Sequence, residues 1–291
     1  MSEWNRKFRR NAPRLSRPRR GWCLATDILL KTTPPAAFPS GALLDRRRCC
    51  LAALAGLTGL DGCTPLVKRP RALQAAEVAR FSTARQHHGL PEGWHEQVMR
   101  RDLPATRYRL VDKEGRRVVH AVADRSTSGL RCDVDIDPRV TPWLEWDWRV
   151  DQLAVEATVA SDELDDCPAR VAVAFDGDLS TLTLREMLFR EQVELFTGHD
   201  LPFATLMYVW DGQAAPESVF EYPRSGRIRY LVVESGAAHT DRWQRYRRNV
   251  VDDYRRVFGG EPGRILSVGL RTDSDDLKSH SEAWYGDLKF S

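Results

Sequence analysis

The sequence predicts a mainly β protein, a single jelly-roll-like antiparallel β-sandwich with one or two packed helices. Two observations predict this fold class. From Phe81 onward, short apolar or alternating runs recur between clusters of Gly, Pro, Asp and Ser, which is typical of a sandwich and not of βαβ units. Only residues 242–258 show a clear helical period. We therefore expect one β-sandwich domain over residues 79–291, a length that a single β domain commonly has.

Residues 1–62 are predicted to direct export. Residues 1–44 are rich in Arg and Pro and show no sustained period, which indicates disorder or translated upstream sequence. Residues 45–62 have the layout of a signal peptide, with three arginines at 46–48 before an apolar run over 49–60. That run gives a helix of about 18 Å, too short for a hydrocarbon layer of roughly 30 Å. Residues 63–78 are interpreted as a linker.

Cys63 is the predicted lipidation site. Leu60 three positions upstream and Gly62 directly before it resemble a lipoprotein signal, whereas Asp61 departs from the small or apolar residue usual there. A lipid on Cys63 would hold the protein to the membrane on the periplasmic side of the cell envelope. Export by the general or the twin-arginine route stays open. The alternative, a buried apolar helix, is disfavoured by the arginines before the run and Pro65 behind it.

The charge distribution argues against nucleic acid as a partner. Net charge is +3 over the whole chain, but residues 1–62 carry +8 and residues 63–291 carry −5. The basic character therefore belongs to the leader, and the remainder lacks the positive surface that phosphate binding needs. Cys132 and Cys167 are the two cysteines of the predicted domain; a disulfide between them and two buried free thiols are both open.

Nine strands are predicted from alternation and turn signals. They cover residues 107–111, 117–123, 129–136, 143–150, 170–176, 204–210, 227–234, 264–272 and 283–290. The fourth shows the period of two best, because Leu144, Trp146, Trp148 and Val150 alternate with Glu145, Asp147 and Arg149. The apolar set is predicted to be core. Trp143 lies on the polar side.

Two helices are predicted. Apolar residues recur near every 3.6 positions over residues 242–258, where Asp241 can cap the start and Gly259 can stop the helix. A weaker pattern predicts a second helix over residues 183–195. The acidic segment 162–166 is interpreted as a surface loop between strands.

The order of several short motifs resembles a bacterial family of unknown function, DUF3047. The matching motifs run from Phe81 nearly to the end and include Trp146-Asp147-Trp148-Arg149-Val150, Ala169-Arg170-Val171, Tyr208-Val209-Trp210, Thr272-Asp273-Ser274-Asp275 and Ala283-Trp284-Tyr285-Gly286-Asp287. The resemblance implies an exported protein and no particular activity. A looser likeness is to jelly-roll carbohydrate-binding modules of the galactose-binding type, which is an analogy of fold alone.

No catalytic motif is present in the sequence. A Gly-x-Ser-x-Gly elbow is missing, and the seven histidines show none of the usual zinc-ligand spacings. Glu145 and Asp147 share one strand face, roughly 6.5–7 Å apart along the strand, which suits a glycoside hydrolase. Exposed alternating charges on a strand are far commoner than catalytic pairs. We therefore expect no catalytic residue.

Sugar binding needs exposed aromatic rings beside polar groups that bind hydroxyls. The residues that fit are Trp143, Glu145, Asp147, Arg149, Tyr208, Trp210 and Trp284. No cofactor is expected, but clustered aspartates leave a structural calcium open at Asp273, Asp275 and Asp276, or at Asp165 and Asp166; a turn without metal is the alternative. The sequence thus favours a non-catalytic envelope lipoprotein that binds a glycan or an envelope protein. A periplasmic hydrolase and a structural partner in an envelope complex are the alternatives.

Overall fold

The computed structural model describes residues 76–87 and 89–291. The predicted export signal, the predicted lipidation site Cys63 and the predicted linker up to residue 75 lie outside these described residues. The strands, numbered in chain order, are β1 (Gln86–His87), β2 (Leu90–Pro91), β3 (His95–Gln97), β4 (Arg107–Lys113), β5 (Arg116–Asp124), β6 (Thr127–Ile136), β7 (Trp143–Gln152), β8 (Ala169–Phe175), β9 (Ala204–Asp211), β10 (Val219–Tyr222), β11 (Ser225–Ser235), β12 (Gln244–Asn249), β13 (Ile265–Asp273), β14 (His280–Tyr285) and β15 (Lys289–Phe290). Two α-helices, α1 (Leu184–Thr197) and α2 (Val250–Phe258), complete the described part.

The strands form two main sheets, which confirms the predicted fold class. The larger sheet has the order β10-β11-β9-β8-β13-β6-β3, and the smaller has the order β12-β7-β14-β5-β4 with β15 paired to β7. A separate two-stranded ribbon joins β1 and β2. The described strand pairs are antiparallel apart from β9 with β11, which run parallel. Among the described residues, neither helix is long and apolar enough to cross a bilayer.

The core lies between the sheets and is rich in aromatic rings. Leu144, Trp146, Trp148 and Val150 of β7 are all buried, as the period of two predicts. The Trp146 ring lies 5.0 Å from that of Tyr208, which joins the smaller sheet to the larger. A buried tryptophan removes about 150–250 Å² from water, which stabilises the fold by up to about 4–6 kcal/mol. These indoles therefore serve packing.

The prediction of one helix over residues 242–258 is wrong in its first half. Residues Gln244–Asn249 form β12 and pair antiparallel with Trp143–Trp148 of β7. Tyr246 stacks on Trp146 at 5.2 Å between ring centroids, while Arg245 on the opposite side is exposed. The apolar residues of this segment fit the strand period of two as well as the helical period of 3.6. The segment forms a strand because it can pair with the edge of β7.

The helix α2 begins eight residues later than predicted, and its cap is Asn249 rather than Asp241. The Asn249 side-chain oxygen accepts hydrogen bonds from the amides of Val251 at 3.1 Å and Asp252 at 3.2 Å. Gly259 ends the helix with a φ of 76°, a conformation that glycine adopts without strain.

Replacing Asn249 with alanine is expected to lower the free energy of unfolding by about 1 kcal/mol, because the amides of Val251 and Asp252 would lose their acceptor. Urea unfolding measures this loss. Asn249→Asp is the matched control, since a carboxylate accepts the same bonds and should keep most of the stability. Equal losses in both variants would contradict the capping role.

The second predicted helix is confirmed as α1. Thr183 caps it in a reciprocal arrangement with Glu186, and Gly198 ends it. No residue of α1 is buried. Leu184, Leu195 and Phe196 are exposed. The apolar spacing therefore predicts the helix correctly, but these apolar residues do not pack into the core.

Cys132 and Cys167 are free and buried. The acidic segment departs from the predicted surface loop, because a short 3-10 turn over Asp162–Leu164 leads into Asp165 and Asp166, which are buried. Burial of two carboxylates next to each other requires compensating groups.

Candidate functional site

The face of the smaller sheet that points away from the core is polar. On β7 it carries Trp143, Glu145, Asp147 and Arg149, as the alternation predicts. Cross-strand register adds Arg245 of β12 opposite Asp147, and places Trp284 of β14 opposite both Arg149 of β7 and His120 of β5. We call this surface the outer face.

A cleft of about 320 Å³ opens on the outer face. Its charged lining comes from several strands and from the chain after β14: Arg116, Arg117, Glu145, Asp147, Arg245, Asp287 and Lys289. Because most of these residues sit on paired strands, the cleft has a rigid floor.

The three carboxylates of the cleft are all engaged. Asp147 lies 2.5 Å from Arg116, and Glu145 lies 3.2 Å from Arg247. Asp287 accepts hydrogen bonds from the Ser82 amide at 2.9 Å and the Ser82 hydroxyl at 2.5 Å.

Two cations of the cleft remain available. Arg245 and Lys289 are exposed, and within residues 76–87 and 89–291 neither has an acceptor or an ion-pair partner. The groups of the cleft that are free to bind a ligand are therefore mainly two positively charged hydrogen-bond donors, the Arg245 guanidinium and the Lys289 ammonium group.

Gly286 makes the floor of the cleft. Its amide donates to the Asp147 carbonyl at 2.9 Å, and a Cβ built at this position would overlap the Asp147 carboxylate. The Asp147 side chain is largely buried in the space that glycine leaves. Two residues of the Trp284-Tyr285-Gly286-Asp287 motif therefore position other parts of the cleft. Gly286 leaves the space that the Asp147 side chain occupies, and Asp287 binds Ser82.

Two half-buried indoles lie outside the lining of the cleft and contact arginines that pair with its carboxylates. The Arg247 guanidinium lies 3.8 Å from the Trp143 ring centroid, and Arg116 lies 3.8 Å from that of Trp243. Trp243 also donates from Nε1 to Glu114 at 2.8 Å. No other cation or aromatic ring contacts either indole in the described part of the chain.

Trp284 and Arg149 belong to a network beside the cleft. His120 stacks on the Trp284 indole at 3.8 Å and the Lys113 Nζ lies 3.5 Å from its centroid. Two groups this close cannot share one face, so both ring faces are covered and the ring is no platform for a sugar. Arg149 lies 2.5 Å from Asp151. Burial opposes ionisation of Asp151, but hydrogen bonds from Arg149 and Lys113 outweigh it and lower its pKa.

Tyr208 and Trp210 must be removed from the predicted ligand-binding set. Both are fully buried on β9, in the interior of the larger sheet. The Tyr208 hydroxyl donates to Asp253 at 2.9 Å, and Trp210 Nε1 donates to the Gly236 carbonyl at 2.9 Å. The sequence pattern shows that these residues share a strand face, but it does not show which faces are covered.

The predicted calcium residues lie at one end of the larger sheet and are buried, apart from Asp276, whose side chain is exposed. One carboxylate oxygen each of Asp166, Asp273 and Asp275 lies within 4.8 Å of the others. Asp276 contributes its backbone amide, which donates to Asp166 at 3.0 Å. Burial and the neighbouring Asp275 raise the pKa of the Asp276 carboxyl to about 6.

Asp165 is held by other groups of the same region. Arg170, itself buried, lies 2.7 Å from Asp165 and 3.2 Å from Asp273. The Tyr230 hydroxyl donates to Asp165 at 3.0 Å. Arg170 of β8 and Arg271 of β13 lie directly opposite each other in the sheet. Because two like charges in this position repel, neighbouring carboxylates are needed to compensate them.

Sequence reasoning missed Arg116, Arg245, Asp287 and Lys289 in the cleft, and it assigned no chemistry to Arg170. Arg170, Asp287 and Lys289 stand in or next to motifs of the family resemblance, and Arg245 stands in the row of arginines over 242–248, whereas no sequence signal marks Arg116. The contacts between strands that bring these residues together could not be predicted from the sequence pattern.

A family model described as "Protein of unknown function (DUF3047)" matches residues 92–289. Similar solved structures include the family 30 carbohydrate-binding module of the cellulosomal cellulase Cel9D-Cel44B of Clostridium thermocellum, with 11% identity over 75% of this chain and 94% of that one and a TM-score of 0.31. Endoglucanase 3 of Trichoderma harzianum, from family GH12, has 8% identity over 74% of this chain and 96% of that one, with a TM-score of 0.36. The Endo-D glycoside hydrolase domain of Streptococcus pneumoniae R6 has 8% identity and a TM-score of 0.28, with 68% of this chain matched to 21% of that one. No curated protein matches the chain.

Proposed function

This chain belongs to the DUF3047 family of proteins of unknown function, and we propose that it is a non-catalytic envelope lipoprotein that binds a glycan in the cleft of the outer face. One observation carries the binding proposal: the cleft of about 320 Å³ combines fixed ion pairs with two unpaired cationic donors. Its lining is set before a ligand arrives, which lowers the cost of binding.

The chemistry of the lining suits a saccharide that bears carboxylates. Trp143 and Trp243, which lie outside the lining beside its ion-paired arginines, are aromatic side chains of the kind that pack against a sugar ring. Arg245 and Lys289 offer charged donors to hydroxyl or carboxylate oxygens. Peptidoglycan fragments and uronic-acid oligosaccharides carry both sugar rings and carboxylates, whereas cello-oligosaccharides carry sugar rings with hydroxyls alone.

The pairing of the carboxylates supports binding over hydrolysis. A glycosidase needs one carboxyl group that holds a proton at working pH and a second that is ionised. Asp147 and Glu145 each already form an ion pair with a guanidinium, at 2.5 Å and 3.2 Å. Neither is therefore a free carboxyl group of the kind that this chemistry needs.

The envelope part of the proposal depends on residues outside the described structure. The signal-like layout over 45–62 and the cysteine at 63 support export and lipid attachment. A lipid there would leave the β domain tethered near the cell wall by the predicted linker.

Thermal unfolding of the purified protein tests the binding proposal. Soluble peptidoglycan fragments and oligogalacturonides should raise the Tm more than cello-oligosaccharides, because a ligand at about a hundredfold its Kd stabilises the folded state by about 2.7 kcal/mol. Arg245→Gln and Trp143→Ala should each weaken binding about tenfold or more.

Arg107→Gln is the matched control, since Arg107 is an exposed arginine of β4 on the same sheet, away from the cleft. It should leave the Tm shift unchanged. If no saccharide raises the Tm, or if Arg107→Gln abolishes the shift as fully as Arg245→Gln, the cleft is not a glycan site.

A further inference from the structure

Two loops meet at the end of the larger sheet and bring three buried carboxylates together. Asp166 lies just before β8, and Asp273 and Asp275 lie at the end of β13 and directly after it. The antiparallel pairing of β8 with β13 brings the two loops side by side. The cluster therefore rests on neighbouring strands of a rigid sheet.

We propose that Asp166, Asp273 and Asp275 form a binding site for one divalent cation of the calcium class. One oxygen of each carboxylate lies within 4.8 Å of the other two. Calcium binds oxygens at about 2.3–2.6 Å, so two ligands on opposite sides of one ion are at most about 5 Å apart. The three oxygens are therefore close enough together to contact a single ion.

An unpartnered oxygen points to the ligand independently of the clustering. The Asp275 side chain is 5% exposed, and its buried Oδ1 accepts no hydrogen bond in the described structure. The nearest cation, Arg100, lies 3.7 Å from the other oxygen and is 49% exposed. A buried carboxylate oxygen without a donor is costly unless a cation binds it.

The remaining contacts hold the ligands in place. The two Asp166 oxygens accept the amides of Asp276 at 3.0 Å and Leu277 at 2.6 Å, which fixes that carboxylate and leaves further lone pairs. Arg271 lies 2.5 Å from Asp273 on the side opposite the contact with Arg170. Because the ligands are all oxygens, the site favours a hard cation over zinc. The bound ion would tie the loop before β8 to the loop after β13.

Calcium titration of the full chain, stripped of metal with EDTA, tests this site. One calcium ion per chain should bind in calorimetry, and the Tm should rise by about 5–10 °C at calcium a hundredfold above its Kd. Magnesium at the same concentration should raise the Tm less, since it prefers a smaller, stricter octahedral site.

Asp275→Asn should abolish the calcium-dependent rise in Tm. Asp162→Asn is the matched control, because Asp162 is an exposed aspartate on the same loop as Asp166, and it should keep the full rise. If the stripped wild-type chain binds no calcium at millimolar concentration, or if Asp162→Asn loses the response too, the proposal is overturned and the arginines alone balance the cluster. The wild-type titration decides this even where Asp275→Asn fails to fold.

Discussion

Replacing Arg170 with methionine is expected to lower the free energy of unfolding by about 3–5 kcal/mol, the usual cost of removing one partner of a buried ion pair. The Arg170 side chain is 0% exposed and lies between Asp165 and Asp273. Methionine keeps much of the packing volume and removes the charge. Two buried carboxylates would then lose a cation that no water replaces.

Urea unfolding at neutral pH measures the effect, with a calcium concentration held equal for all proteins. Arg139→Met is the matched control, because Arg139 also pairs with an aspartate but is 71% exposed, and exposed pairs contribute about 0–1 kcal/mol. A loss below about 1 kcal/mol for Arg170→Met would contradict the role of Arg170 as the cation that compensates Asp165 and Asp273.

The sequence predicted the sheets well because strand alternation is a local signal. Leu144, Trp146 and Trp148 are buried while Glu145 faces outward, as a period of two requires. The same signal could not tell that β9 lies inside the larger sheet, since Tyr208 and Trp210 are buried by strands distant in the chain. Whether an alternating face meets solvent is decided by topology.

Residues 244–249 show the limit of periodicity in another way. Tyr246 and its neighbours fit a helix, but pairing with β7 supplies ladder hydrogen bonds and a stack on Trp146. A helix would have left that edge of β7 open. Pairing with the edge of β7 therefore outweighs the local helical pattern, and α2 begins only at Val250.

The acidic cluster and the cleft depend on contacts that the sequence does not encode locally. Asp166 and Asp275 are 109 positions apart, and only the pairing of β8 with β13 brings them together. Ser82 and Asp287 are 205 positions apart. Aspartates in turns are common, so their spacing along the chain carried little information until the fold was known.

Replacing Gly286 with alanine is expected to weaken saccharide binding in the cleft at least about tenfold, because the new methyl group would take the place of the Asp147 carboxylate. That carboxylate is fixed by Arg116 at 2.5 Å and has little room to move. Its displacement would free Arg116 from its partner and change the lining of the cleft. The strain of inserting a methyl group into a packed site also costs about 1–3 kcal/mol of stability.

Calorimetric titration with peptidoglycan fragments, together with urea unfolding, separates the two effects of Gly286→Ala. Gly260→Ala is the matched control, because a Cβ at Gly260 meets no atom within 4 Å, and it should leave binding unchanged and stability the same or slightly higher. A variant at position 286 that loses stability but keeps its affinity would show that Asp147 and Arg116 hold the sheet without shaping the ligand site. Loss of affinity at near-native stability would instead show that the Trp284-Tyr285-Gly286-Asp287 motif contributes to binding. The role of Gly286 would then be to position the Asp147 carboxylate.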